Sequence, residues 1–312
     1  MTTETRPTIG LALSGGGNRS SFYIGFLEVF AERKIQVDYI AACSGGSLVA
    51  AAYVCGTLPE FKERVFSLNR DSLHTYFVRH YGKGGIFSID LLEEEFRHFT
   101  KGMNFDEVRP LMGFIAVDIE TGEKVLLCMG DIARAARVSC TLPGIFEPVK
   151  WGGKTLVDGG LLTMVPGDIL RNANLDFTIG VNMRGTKHIF TEGQITAKKV
   201  LNSLKKMLFI DEIDSLFDGL ETYFNIEDED IEKNPGLFEV IGKSLDLAIE
   251  ANKHDDTSSE LCDLMIVPDL PKLKQKKFTQ EAVKFYYDMG RQYAIDYIPK
   301  IEEMSKAKVK AR

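Results

Sequence analysis

The chain has 312 residues, of which 27% are charged and 44% hydrophobic, and its net charge at pH 7 is -7. This length supports a substantial core in one large or two small domains, and the ordinary composition excludes a globally disordered chain. The acidic balance, without a basic patch interleaved with aromatic residues, argues against a nucleic-acid-binding protein. Residues 1–7 lack the apolar core of a signal peptide, and no apolar run is long enough to span a bilayer. We therefore expect a cytoplasmic protein.

The cysteines are five in number, scattered, and set in largely apolar surroundings. They are Cys43, Cys55, Cys128, Cys140 and Cys262. Their spacing matches no metal-binding pattern, and reduced core cysteines are typical of an intracellular protein. We expect no metal site and no cofactor.

Strand and helix patterns alternate along the chain. The strand candidates are residues 8–13, 37–43, 112–118, 123–129, 154–158, 176–182 and 262–267. The helix candidates are residues 19–33, 46–56, 60–68, 88–99, 131–138, 165–173 and 279–297, and the basic residues 306–312 are expected to form a frayed end. This alternation predicts an α/β fold with a parallel sheet and helices on both faces.

A glycine-rich loop follows the first predicted strand. Residues 14–20 contain Gly15, Gly16 and Gly17, and a helical pattern opens at about Ser21. Three glycines let backbone N–H groups converge on one point, and the start of a helix favours negative charge there. The loop is therefore a phosphate loop, a tight turn, or an oxyanion hole for an ester carbonyl. Arg19 would orient the loop or add positive potential.

Ser44 lies where the second predicted strand stops and a helical pattern begins. This layout is typical of a nucleophile elbow, in which a serine stands on a sharp strand-to-helix turn. Gly45 and Gly46 allow the close backbone approach that the turn needs, but Ala42 stands where the G-x-S-x-G pattern has its first glycine. Ser-Gly-Gly is also ordinary turn chemistry.

Asp158 ends a short predicted strand and precedes Gly159 and Gly160. An Asp-Gly hairpin turn is one interpretation. A nucleophilic serine needs a base, however, and no histidine ends a buried strand or occupies a small-residue loop. The histidines are His74, His80, His98, His188 and His254. Asp158 is the better candidate base.

Taken together, these motifs resemble those of the patatin-like phospholipase family. Residues 15–20 match its G-G-G-x-R-G loop with Ser20 in place of the last glycine, and residues 42–46 match its G-x-S-x-G elbow with Ala42 in place of the first. Asp158 begins an unchanged D-G-G motif. Residues 136–149 and, more faintly, 265–294 resemble connecting sequence of the family. The resemblance covers most of the chain apart from residues 60–110 and 186–260.

The resemblance implies a three-layer α/β/α fold with a central, mostly parallel sheet and a nucleophile elbow. We expect a single domain over residues 1–312. Its core would comprise about residues 7–185 and 261–298, with a helical insertion at about 186–260.

The chemistry that the resemblance implies is hydrolysis of fatty-acyl esters by a Ser44–Asp158 dyad without histidine, through an acyl-enzyme. Gly15, Gly16, Gly17 and Arg19 would form the oxyanion hole. Phospholipids, lysophospholipids or other fatty-acyl esters are the implied substrates. Burial beside a hydroxyl would raise the pKa of the aspartate toward a useful value, so a pH optimum near 4 would count against the assignment.

Two further segments leave alternatives open. Residues 76–87 mix aromatic residues with glycines, as a flap beside the site or an ordinary connection would. Residues 194–224 are amphipathic, which fits a lid, a peripheral membrane contact, a homo-oligomer contact or plain packing. The acidic run at residues 227–230 would oppose anionic lipid.

Three other functions remain as alternatives. A dinucleotide-binding protein would explain Gly15, Gly17 and Ser20 as a loose G-x-G-x-x-G motif, but Asp38 then begins the second strand instead of ending it. A non-catalytic lipid-binding protein could use the same fold. An acyltransferase would pass the acyl group to an alcohol other than water.

Overall fold

The computed structural model describes residues 6–68, 75–76, 78–79, 84–183, 261–270 and 279–310. The predicted insertion at 186–260, with the amphipathic segment 194–224, lies outside the described residues. The strands are β1 (Ile9–Leu13), β2 (Tyr39–Cys43), β3 (Val78–Arg79), β4 (Gly85–Ser88), β5 (Leu111–Asp118), β6 (Lys124–Leu127), β7 (Gly144–Phe146), β8 (Val149–Trp151), β9 (Lys154–Asp158), β10 (Phe177–Val181) and β11 (Leu264–Ile266). The helices are α1 (Ser21–Glu32), α2 (Gly45–Val54), α3 (Leu58–Ser67), α4 (Asp90–Phe99), α5 (Ile132–Ser139), α6 (Gly167–Asn172) and α7 (Gln280–Lys310).

Within the described residues, the central sheet has eight strands in the order β11-β10-β1-β2-β5-β9-β8, with β6 paired to β5 as well. Strands β11 to β5 run parallel, whereas β6, β9 and β8 are antiparallel to their neighbours. A separate three-stranded sheet has the order β3-β4-β7. The predicted α/β class with a mostly parallel central sheet is confirmed.

Successive residues of the central strands point to opposite faces of the sheet, and each face is covered by helix. Leu11 and Leu13 belong to the large core that includes the buried side chains of α1, α2 and α5. Ala12 lies in a second core with Leu170 of α6. This alternation produces the three-layer arrangement, because both faces of a buried parallel strand are apolar.

The backbones of helices α1 and α7 come into close contact where the two helices cross. A Cβ atom added at Gly290 would lie 1.9 Å from the carbonyl oxygen of Phe22, and one added at Gly25 would lie 2.1 Å from that of Tyr287. Such a close crossing needs glycine, because a methyl group has no room between the two backbones. The helix that follows the glycine-rich loop is therefore held against the last helix.

Glu28 on α1 also connects these helices. It accepts hydrogen bonds from Lys62 and Arg291, each at 2.7 Å, and from the Tyr287 hydroxyl. Burial alone would raise the pKa of Glu28, but these hydrogen bonds outweigh it and hold the pKa below its usual value. The ionised carboxylate is thus the form that the fold stabilises.

Helix α7 corrects the sequence analysis at the C-terminus. It continues through Pro299 to Lys310, beyond the predicted end at residue 297, and residues 306–310 of the expected frayed end are helical. Ile298 and Ile301 are buried, and Lys308 Nζ lies 2.5 Å from Asp263 Oδ1. Apolar packing therefore outweighs the local cost of proline. Across the part of the chain that the structure describes, no helix is long and apolar enough to cross a membrane.

The sheet register brings the ends of β2 and β9 together. Residues 114 and 115 of β5 pair with both β2 and β6, and residues 116 and 117 pair with both β6 and β9. Since a strand has two edges, β2 and β9 share the edge that β6 does not occupy. Cys43 lies opposite Ile115, and Asp158 lies opposite Ala116. The two strands therefore run toward each other along β5 and meet end to end.

Candidate active site

Ser44 stands on the turn where β2 ends and α2 begins. Its backbone has φ 49° and ψ -133°, a conformation that L-residues rarely adopt. Such strain costs about 1–3 kcal/mol and persists only where surrounding contacts impose it. The Ser44 carbonyl accepts hydrogen bonds from the backbone N–H of Ser47 at 2.8 Å and from its hydroxyl at 2.6 Å. This is the geometry of a nucleophile elbow.

Helix α2 begins in direct contact with the glycine-rich loop. A Cβ atom at Gly46 would lie 2.7 Å from the Ser14 carbonyl oxygen, and one at Gly45 would lie 2.3 Å from Ser20 Oγ. Gly46 therefore requires glycine because its nearest neighbour is backbone, whereas the nearest neighbour of Gly45 is a side-chain oxygen. Ser20, which stands where the resembled motif has glycine, fills the space beside Gly45.

Gly15 brings the loop against Ser44 itself. A Cβ atom at Gly15 would lie 2.9 Å from Ser44 Cβ and 3.6 Å from Ser44 Oγ. Gly16 faces Met183, and Gly17 has φ 55°, in the left-handed region that favours glycine. Of the three glycines, Gly15 is the one that adjoins Ser44 directly.

Hydrogen bonds connect the loop to the end of β10. Ser14 N–H donates to the Val181 carbonyl at 3.1 Å, and Met183 N–H donates to Ser14 Oγ at 2.9 Å. Arg19 Nη1 donates to the Met183 carbonyl at 2.7 Å, and Arg19 is 9% exposed. These contacts fit the first of the two roles considered for Arg19, which is to orient the loop.

Asp158 lies at the end of β9 with 3% of its surface exposed. Its Oδ1 accepts a hydrogen bond from Gly160 N–H at 2.8 Å and one from the Cys43 thiol at 3.6 Å. The D-G-G motif needs its first glycine because a Cβ atom at Gly159 would lie 2.5 Å from the Ile115 carbonyl oxygen. The carboxylate is therefore oriented by a residue after it and by the residue before Ser44.

Two other side chains are of types that often take part in catalysis, the thiol of Cys140 and the imidazole of His98. Burial, and then the charge of Asp158, raise the pKa of the Cys140 thiol above its usual range, which keeps it protonated and a poor nucleophile. His98 is exposed on α4. Among the described residues, no group of three or more His, Cys, Asp or Glu could hold a metal ion.

Sequence reasoning missed three residues that support the site. They are Cys43, which donates to Asp158, Met183, which is bonded to the loop, and Ser139, whose hydroxyl accepts from Ser44 N–H at 2.9 Å. Ser139 lies in the segment 136–149 that resembles the family. Residue type and spacing carried no signal for these roles, because each depends on a contact distant in sequence.

The comparison with protein families identifies the class. The model of the family described as patatin-like phospholipase matches residues 11–171, just over half of the chain. The chain therefore belongs to the patatin-like phospholipase family.

Relatives among curated proteins and solved structures are distant. An uncharacterized NTE family protein of Mycobacterium tuberculosis (strain H37Rv) is 27% identical over 184 residues, which are 59% of this chain and 51% of the relative. Lysophospholipase NTE1 of Yarrowia lipolytica is 29% identical over 176 residues, 51% of this chain and 11% of the relative. The chain spans about half the length of the mycobacterial protein. VipD from Legionella pneumophila covers 94% of this chain and 67% of its own, with 14% identity and a TM-score of 0.35.

Proposed function

We propose that the chain is a serine lipid acyl hydrolase in which Ser44 is the nucleophile and Asp158 the general base and acid. The observation that carries this proposal is the meeting of β2 and β9 on one edge of β5. It places a strained serine and a buried aspartate at adjacent strand ends, with Gly15 against the serine.

The reaction would proceed as acyl transfer in two halves. Ser44 Oγ attacks the ester carbonyl carbon while its proton passes to the Asp158 carboxylate. The negative charge that develops on the carbonyl oxygen is stabilised by backbone N–H groups of Gly15, Gly16 and Gly17. The alcohol leaves with the proton from Asp158, and the acyl-enzyme remains. Water then attacks the acyl-enzyme, Asp158 takes its proton and returns it to Ser44, and the carboxylic acid is released.

The surroundings of Asp158 support its role as base. Only 3% of the Asp158 surface is exposed, so little water competes with a substrate or with Ser44 for its carboxylate. Gly160 N–H and the Cys43 thiol both contact Oδ1, so the orientation of the carboxylate is fixed before substrate binds.

Family membership and the lysophospholipase name of one relative favour phospholipids or lysophospholipids as substrates. Such lipids form aggregates, and we propose that the protein contacts membranes peripherally while it acts. No disulfide joins the five cysteines within the described residues, which favours a reducing compartment such as the cytoplasm. Sedimentation with phosphatidylcholine vesicles would test the membrane contact. If the protein does not sediment with the vesicles at saturating lipid, the membrane contact is rejected.

Active-site labelling with a fluorophosphonate tests the proposal most directly. The adduct, mapped by mass spectrometry, should lie on Ser44 and be absent from Ser44→Ala. Asp158→Asn should react slowly while it remains folded, because the serine then lacks its base. Release of fatty acid from lysophospholipid micelles by the labelled and unlabelled protein completes the test.

Three outcomes would contradict the proposal. No adduct on folded protein, with or without micelles, would leave a non-catalytic lipid-binding protein. An adduct on another residue would move the nucleophile. Transfer of the acyl group to an added alcohol in preference to water would identify an acyltransferase.

A further inference from the structure

We propose that Ser139 is a positioning residue that fixes the main chain of the nucleophile relative to the aspartate. This inference rests on the proposed function, since it assigns Ser139 to the support of the Ser44–Asp158 pair.

Ser139 is the last residue of α5 and has 0% of its surface exposed. Its hydroxyl oxygen accepts a hydrogen bond from Ser44 N–H at 2.9 Å and its hydroxyl donates to the Ile115 carbonyl at 2.8 Å. Ile115 lies opposite Cys43, the last residue of β2. The side chain therefore links the elbow to β5 at the point where direct pairing between the two strands stops.

The two hydrogen bonds of Ser139 stabilise the unusual backbone conformation at Ser44. Ser44 leaves the strand with φ 49°, so its N–H departs from the regular ladder in a partly buried place. An N–H that is shielded from water and has no acceptor destabilises the fold, and the unusual backbone conformation destabilises it further. The Ser139 hydroxyl accepts a hydrogen bond from the residue after β2 and donates one to β5, whereas an alanine side chain can do neither.

The same segment also holds the end of β9. Asp158 N–H donates to the carbonyl of Thr141 at 2.8 Å, two residues after Ser139, and Thr141 is 0% exposed. Residues 139–141 thus bond to the backbone N–H of Ser44 through a side chain and to that of Asp158 through a carbonyl. The separation between nucleophile and base is set through this segment, because each of the two strand ends is bonded to it.

Kinetics of Ser139→Ala test the inference against a purely structural role. The matched control is Ser305→Ala, which removes another buried hydroxyl, one that donates to the Glu302 carbonyl at 3.3 Å on α7. We expect Ser139→Ala to lower kcat on a soluble ester about 10- to 100-fold, as small displacements of reacting groups do, with KM changed less than about twofold. The rate of phosphonylation of Ser44 per folded molecule should fall in parallel. Ser305→Ala should lower the melting temperature without either effect.

A conservative variant keeps the inference falsifiable where alanine prevents folding. Ser139→Cys preserves the size of the side chain and weakens both hydrogen bonds, so an intermediate loss of kcat supports the inference. Wild-type kcat in either folded variant, or a change confined to KM, would overturn it.

Failure of the proposed function is distinguishable from failure of this inference. If wild-type protein forms no adduct at all, the proposed function fails, and amide hydrogen exchange at Ser44 becomes the readout for Ser139. Faster exchange in Ser139→Ala than in wild type and Ser305→Ala supports the positioning role, and equal exchange in all three refutes it.

Discussion

Gly15→Ala is the substitution that examines most sharply the contact between the glycine-rich loop and Ser44, the proposed nucleophile. The new methyl carbon would lie 2.9 Å from Ser44 Cβ, closer than two such carbons approach in proteins. Each Cβ is fixed by its own backbone, so neither can rotate away. Gly15 does not have a positive φ, and alanine is therefore not strained by its own backbone conformation. The loop or the nucleophile has to move by a few tenths of an ångström.

The magnitude follows from the cost of overpacking. An extra methyl group in a well-packed place costs about 1–3 kcal/mol. If the displacement is expressed at the reacting atoms, about 1.4 kcal/mol corresponds to a tenfold change in rate. We therefore expect kcat/KM on a soluble ester to fall about 10- to 100-fold.

Gly10→Ala is the matched control, on β1, the strand that leads into the loop. Its methyl carbon would lie 2.4 Å from Leu175 Cδ1, a tighter contact but one with the flexible end of a side chain far along the strand from Ser44. Thermal unfolding and kcat/KM are measured for both variants. We expect Gly10→Ala to lose stability and keep kcat/KM within about twofold of wild type, because Leu175 can adjust without moving the elbow. Wild-type kcat/KM in folded Gly15→Ala would refute the reasoning.

Three further predictions follow from contacts elsewhere. Gly290→Ala should lower the free energy of unfolding by up to about 2 kcal/mol in urea titrations. The clash with the Phe22 carbonyl costs about 1–3 kcal/mol, and the preference of alanine for a helix returns roughly 1 kcal/mol of this. A gain in stability would contradict the close crossing. Glu28→Gln should be less stable than wild type by about 1–2 kcal/mol at pH 7. Since the folded-state pKa of Glu28 is lowered, its contribution is complete above the unfolded value of about 4.3 and is lost as pH falls through the folded value. A deficit that does not shrink below about pH 4 would argue against this assignment. Cys43→Ala should reduce kcat about tenfold, because it removes a hydrogen-bond donor to Asp158. Cys43→Ser keeps a donor there, and its kcat should stay within about threefold of wild type. Equal rates in the two variants would show that the thiol does not orient the carboxylate.

The sequence predicted those parts of the fold in which a buried strand ends at a small-residue turn. Strands β1, β2 and β9 fall within or on the predicted ranges, and the three motifs meet at one place. Strands β3 and β7 have two and three residues and exist only through pairing with β4, so no local period reveals them. The direction of β9 was not predicted either, because pairing direction depends on the connection between strands and not on strand composition.

The end of helix α7 also could not be predicted from local sequence signals. Pro299 is a local signal for the end of a helix, yet Ile301 beyond it is 1% exposed. The burial that outweighs the proline is a property of the folded molecule. At the site, Ser44 and Asp158 stood in motifs and could be singled out, whereas Ser139 is one serine among many until its contacts are known.

The close crossing of α1 and α7 bears on how much of the chain can fold alone. The residues that match the family, 11–171, include Ser44 and Asp158 but neither β10 nor α7. A protein trimmed to that stretch would leave the outer edge of β1 unpaired and the aromatic face of α1 in water. We expect it to aggregate. The most recognisable half of the sequence therefore depends on a less recognisable half for its solubility.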